Sequence, residues 1–231
     1  MQDRFKIMVF DAGILGTTVL EELAKNKQFS IVVVDDKKVT FHDITSTTYP
    51  KKHFGKLRTE VLKEKFGSEI DCLNSIKNLN GKELSNADIL ISTSDEFDLD
   101  VNNCLNEIAF KNNKKLLTAR IIENNLAEIG PLFIPGKTAC FKCYETRIRS
   151  NLENAENYFK IKLFLGNTEK LFNLTALRKN ISSLINLEIS RIAYGQEPRI
   201  FDKIITLNLE NNSMKEETLF RIPNCSVCDS K

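Results

Sequence analysis

The sequence has almost no excess of charge: 33 basic residues stand against 31 acidic ones, a formal net charge of +2. That balance lacks the basic surplus that makes nucleic acid a default partner, so no nucleic acid is expected. No apolar run approaches the roughly 18 residues that a membrane span requires, and no secretory h-region opens the chain. A cytoplasmic protein without a membrane partner is the expectation. Internal repeats and low-complexity tracts are also missing. Histidine is scarce: His42 and His53 share one polar loop, show neither ligand nor triad spacing, and are expected to face solvent. What is present is an ordinary globular composition, 42% hydrophobic and 28% charged over 231 residues. It suits one large α/β domain with an appendage or two small domains.

The first apolar run, Phe5 to Phe10, is followed at once by Gly13 and Gly16 and by helix formers to about Lys25, which reads as strand, tight turn and helix. A second run, Ile31 to Val34, ends in Asp35-Asp36. Two apolar strands separated by an amphipathic helix signal a parallel crossover, because strands covered on both faces need no polar alternation. Val39 to His53 is polar and broken by Pro50, and reads as a long loop over the strand ends. A helix at Lys56 to Phe66, strands at Ala87 to Ser92 and Lys115 to Thr118, a helix between them, and a strand at Leu126 to Ile134 follow. Asn151 to Asn173 has no firm period. Leu177, Ile181, Leu184, Ile185 and Ile192 recur at helical spacing. The tail reads as a hairpin: Lys203 to Leu209, a turn at Asn211 to Ser213, and a return over Thr218 to Ile222. The fold class is therefore α/β, a Rossmann-like and mostly parallel sheet with a C-terminal antiparallel extension.

The strongest chemical signal lies in four of the six cysteines. Cys140-x-x-Cys143 and Cys225-x-x-Cys228 each have the spacing that lets two thiolates meet one ion, and together they complete a tetrahedral zinc shell with no open position. The long chain between them makes such an ion a structural staple. Two unrelated pairs, one of them redox-active, is the alternative. The second signal is Asp11-Ala12-Gly13-Ile14-Leu15-Gly16, a phosphate-binding turn whose leading glycine is an aspartate. A carboxylate there repels phosphate and is expected to resist the glycine-only backbone. Either the turn meets a nucleotide, with Asp35 placed for ribose hydroxyls, or its glycines serve packing alone. Asp95 ends another strand, where it would hold magnesium or cap the next helix, as would Ser94 and Asp98. Lys51, Lys52, Lys56 and Arg58 form either an anion-facing run or a solvated face.

In this order, the glycine turn, the acid at Asp95 and the two cysteine knuckles resemble the ThiF/MoeB/HesA group of the ubiquitin-activating-enzyme-like superfamily over almost the whole chain. From residue 115 the likeness narrows. Gly130-Pro131-Leu132-Phe133-Ile134-Pro135-Gly136-Lys137-Thr138-Ala139-Cys140-Phe141-Lys142-Cys143, with Arg147 and Pro223-Asn224-Cys225-Ser226-Val227-Cys228, is similar to the partner proteins of YcaO-type cyclodehydratases. Those enzymes install thiazole and oxazole rings in ribosomal peptides of the microcin B kind. The resemblance implies one domain over residues 1–231, a Rossmann-like half at 1–120 and a zinc-stapled half at 121–231, and a homodimer.

Active members adenylate a carboxyl terminus with ATP and magnesium. Of their site, the resemblance leaves a remnant made of Gly13, Gly16, Asp35, Arg58 and Asp95. Lys37 stands at the second acid of an Asp-x-Asp, Asp43 and Ser46 fall on an Asn-x-x-Arg, and Asp100 replaces a further arginine. Each lost contact to transition-state charge typically costs about 3 kcal/mol, so efficient adenylation and ATP–magnesium use are not expected, and no catalytic residue is assigned. The implied role is a scaffold holding a precursor peptide against a YcaO-type subunit. The competing reading is an ATP-dependent adenylyltransferase acting on a peptide or sulfur-carrier carboxylate. A nicotinamide or flavin oxidoreductase would rest on the glycine turn alone.

Overall fold

Phe5–Phe10 forms β1, an interior strand of a sheet covered on both faces, which is why its apolar run needs no alternation. Ile7 and Val9 enter one hydrophobic layer, Met8 and Phe10 the other. The computed structural model describes residues 4–46, 48–75, 81–93, 98–123, 125–152 and 174–229. Within them eight strands lie in the order β3-β2-β1-β4-β5-β6-β7-β8. The strands β2 (Phe29–Val34), β3 (Ile70–Leu73), β4 (Ile89–Ser92) and β5 (Lys115–Glu123) extend β1 in parallel. From β5 onward, β6 (Leu126–Phe133), β7 (Lys203–Asn208) and β8 (Ser213–Thr218) pair antiparallel. One sheet thus runs through the chain, and β5 spans both sides of residue 120.

Two layers of helices cover it. On one face α1 (Ile14–Leu23) and α3 (Arg58–Phe66) join the last helix, α7 (Leu174–Ala193). Leu177, Ile181, Ile185 and Ile189 recur every four residues and are fully buried in the same cluster as Leu15 and Val19. Such a side chain contributes roughly 1.5–3 kcal/mol when withdrawn from water. On the opposite face α4 (Gly81–Asn86), α5 (Leu99–Lys111) and α6 (Phe141–Asn151) border a second core. That core contains Phe133, Phe141, Cys140, Cys143 and Cys225.

Several expectations are corrected. The segment read as a loop over Val39 to His53 contains a short helix, α2 (Phe41–Thr45), and a 3-10 turn at Lys51–His53. Its signal was Thr40-x-x-Asp43: the Asp43 carboxylate accepts from the Thr40 amide at 2.8 Å while Thr40 Oγ1 accepts from the Asp43 amide, a capping box. β3 was not expected, because Ile-Asp-Cys-Leu is short and half polar. The hairpin returns over Ser213–Thr218, earlier than the apolar residues implied, and all six residues are exposed. Exposure removes the alternation on which the sequence reading relied. His53 is only 6% exposed, against the expectation of solvent. Asp98 does cap α5, accepting from Asp100 and Val101 amides. Asp95 and Ser94 lie outside the described residues, as does most of Asn151 to Asn173.

Candidate functional site

The cysteines do converge. Cys140 is the N-cap of α6 and Cys143 lies in its first turn, so the knuckle spacing is one turn of helix opening toward the tail. Asn224, at φ 57°, bends the tail so that Cys225 and Cys228 meet them from 85 positions away. Cys140 Sγ is 3.5 Å from Cys225 Sγ and 3.8 Å from Cys143 Sγ, and Cys143 Sγ is 3.5 Å from Cys228 Sγ. All four sulfurs lie within 4.8 Å of one another. Sulfurs around a tetrahedral ion with about 2.3 Å bonds stand about 3.8 Å apart, so the donors fit a four-coordinate soft metal. The Cys140 hydrogen bond favours thiolate at Cys143 and, with the Ile222 amide, brings its pKa down against burial. The four residues can hold a metal, and their closed shell leaves no place for substrate.

The glycine turn has a different character. Asp11 takes φ 71°, so the aspartate does adopt the backbone it was expected to resist. Its carboxylate explains how. Oδ1 accepts from the Gly13 amide at 2.8 Å, closing the turn across the start of α1. Oδ1 also receives Arg58 Nη1 at 3.0 Å, and Oδ2 receives Lys37 Nζ at 2.9 Å. Asp35 Oδ2 accepts from the Ala12 amide at 2.6 Å, and its Oδ1 from the Lys37 amide at 2.6 Å. Gly16 is required sterically, since a Cβ there would stand 2.0 Å from the Asp11 carbonyl oxygen and 2.7 Å from Thr93 Oγ1.

Arg58 is the hub of this region. Besides Asp11, its guanidinium reaches Asp43 at 2.8 Å and Asp35 at 3.4 Å, with a side chain only 8% exposed. Burial opposes its charge, but Asp11, Asp35 and Asp43 raise its pKa above the ordinary value. Asp35 is shifted upward by burial first and by Asp11 next, with Arg58 and two backbone amides pulling the other way. At Lys37 burial works against the charge, yet the attraction of Asp11 prevails and its pKa rises. Three carboxylates therefore consume both cations. Sequence reasoning assigned Arg58 to a nucleotide and missed Asp43 as its partner. It also missed Arg178, which comes from α7 to donate to the Ser46 carbonyl at 3.0 Å and Thr48 Oγ1 at 2.9 Å. Nothing local to Arg178 marks it; only the long-range docking of α7 does.

Beyond the turn, a cavity of about 390 Å³ lies at the strand ends, between Phe10, Val34 and Val101. Asp11, Asp35, Asp36, Asp98 and Asp100 line it together with Lys37. Its far wall is α5, whose asparagines reach the cysteine region. Asn102 Oδ1 accepts from Ser92 Oγ at 2.8 Å, Asn103 Nδ2 donates to Glu145 at 3.0 Å, and Asn106 Oδ1 accepts from the Phe141 amide at 2.9 Å.

The model of the ThiF family matches residues 3–227. The chain belongs to the ThiF family. A search of curated proteins finds no match. Among solved structures this ThiF-family chain is similar to Escherichia coli MccB with AMPCPP and selenomethionyl MccA, at 24% identity and a TM-score of 0.73, over 98% of this chain and 67% of that one. For E. coli MccB with ATP the values are 25%, 0.74, 98% and 67%. PaaA is similar at 13% identity and a TM-score of 0.70, over 94% of this chain and 74% of its own.

Of the expected remnant, the structure brings Gly13, Gly16, Asp35 and Arg58 of this ThiF-family chain together around Asp11. It satisfies them from within the chain: Gly13 and Arg58 by Asp11, Asp35 by Ala12 and Lys37.

Proposed function

We propose that this ThiF-family chain is a non-adenylating scaffold in a peptide-modifying complex. It holds a precursor peptide against a YcaO-type cyclodehydratase, whose ATP-dependent removal of one water per ring gives thiazolines or oxazolines, which a separate two-electron oxidation turns into thiazole or oxazole rings. One observation carries the reading: the Asp11 carboxylate takes the Gly13 amide, Arg58 and Lys37, the groups that a phosphate at the start of α1 would need. A triphosphate brought there meets a fixed negative charge and no unclaimed cation among these residues. A peptide partner is supported by E. coli MccB, solved with its peptide MccA. In this reading the metal at Cys140, Cys143, Cys225 and Cys228 is structural zinc, two copies pair through the Rossmann-like half, and the chain works in the cytoplasm.

The test is calorimetric titration of the full chain with ATP and magnesium, followed by pyrophosphate exchange with candidate peptides. The expected result is no saturable binding below about 1 mM and no exchange. Ring formation, read as loss of one water per ring, should require this chain, the peptide and a YcaO-type enzyme together. Micromolar ATP binding with exchange overturns the proposal in favour of an ATP-dependent adenylyltransferase, the reading that the likeness to MccB solved with ATP favours.

A further inference from the structure

A second concavity, of about 750 Å³, opens between α1, Ile44 with the stretch Thr48 to His53, and α3. It is large enough for a peptide segment of a few residues. It lies apart from the strand-end cavity. Ile44, Pro50 and Val61 give it apolar walls, and Lys51 and Lys52 stand at its edge. The other charges at the groove are spoken for: Lys65 pairs with Glu21, and Glu64 with Lys56 at 3.3 Å. Lys51 and Lys52 make no ion pair among the described residues, and both are exposed. His53 also lines the groove, is 94% withdrawn from solvent at 6% exposure, and leaves Nδ1 without a hydrogen-bond partner; the nearest acid, Glu64, is 3.7 Å away.

We infer that this groove docks an acidic peptide segment. Its apolar side chains lie against Ile44, Pro50 and Val61, its carboxylates meet Lys51 and Lys52, and His53 in the wall reports its arrival. Charge complementarity and the mixed walls select this occupant, since a bare oxyanion would leave the apolar surface unused. The inference deepens the peptide-holding proposal and rests on it for the biological identity of the occupant. Its success does not depend on whether the chain binds ATP.

The experiment is fluorescence anisotropy of the full chain with fluorescein-labelled Glu-Leu-Glu-Leu-Glu, compared with the Lys-Leu and Glu-Ser counterparts. The Glu-Leu peptide should bind and both counterparts should bind at least tenfold more weakly. Lys51→Glu with Lys52→Glu should weaken binding at least tenfold. Lys111→Glu with Lys137→Glu makes the same charge change at exposed positions elsewhere and should leave binding within twofold. Because the chain has only two histidines, a His42→Asn variant assigns the His53 imidazole proton signals, which should shift as peptide is added. No binding, equal loss in the two charge-reversed variants, unmoved His53 signals, or complete displacement by inorganic phosphate would each overturn the groove. None of these outcomes bears on the ATP titration, so the two proposals fail separately.

Discussion

The four-cysteine cluster and the glycine turn are both built from residues that the sequence marks as ligand-binding, yet they are completed in opposite ways. The sulfurs come from segments 85 positions apart and have chiefly one another for company. Their charges, once ionised, need a cation from outside. At the turn the chain has supplied both signs itself, with Asp11, Asp35 and Asp43 around Arg58 and with Lys37 on Asp11. A motif marks a region as built like a binding site. What its side chains have left unsatisfied shows whether it can bind.

The sharpest way to break this contrast is at the cluster. Cys225→Ser should remove stoichiometric metal, measured by elemental mass spectrometry, and cost about 4 kcal/mol or more, seen as a fall of roughly 10 °C in Tm. Unchanged metal content and Tm would place the cluster with the self-satisfied region.

Next comes Arg58→Met, which strands buried carboxylates and should cost about 3–5 kcal/mol by urea denaturation at neutral pH. The pH dependence sharpens the test. Asp35 has a folded pKa above 3.8, so between 3.8 and that raised value the folded state holds more of the proton than the unfolded chain. This group therefore lowers stability as pH rises through that window, and losing Arg58 should widen it. The deficit of the variant should shrink as the pH is lowered toward the window; a constant deficit would mean that the carboxylates do not depend on Arg58.

Gly16→Ala should cost about 1–3 kcal/mol, measured as a lower urea midpoint, because helix and turn must part to admit the methyl group. Smallest in energy is Asp11→Gly. It should raise pyrophosphate affinity by calorimetry at least tenfold, about 1.4 kcal/mol, because the Gly13 amide, Arg58 and Lys37 are released and glycine suits φ 71°. No gain would show that Asp11 is not what fills the turn.

Much of the architecture was legible because buried parallel strands are written as apolar runs, and β1, β2 and β4 are such runs. The four cysteines were legible because metal-ligand spacing is local. β3 was not, since a four-residue edge strand carrying Asp71 has no period to display. Nor was the identity of the partners of Arg58: Asp11, Asp35 and Asp43 lie 47, 23 and 15 positions away, and only the sheet order brings them together. Asp11 itself was recognised as the odd residue in the turn, but its φ was misjudged because the Gly13 amide that stabilises it is a three-dimensional fact. The outcome at the hairpin has a similar origin: the exposed β8 follows its pairing with β7, not a hydrophobic pattern.

The asparagines of α5 join these two unlike regions. Asn102 holds the end of β4, while Asn103 and Asn106 hold α6, at Glu145 and at the amide of Phe141, immediately after Cys140. A chelator that loosened the N terminus of α6 would therefore tug on a helix whose first turn walls the acidic hollow at Val101 and Asp100. Hydrogen exchange at the start of α5 should then report the oxidation or demetallation of sulfurs packed into the same second core.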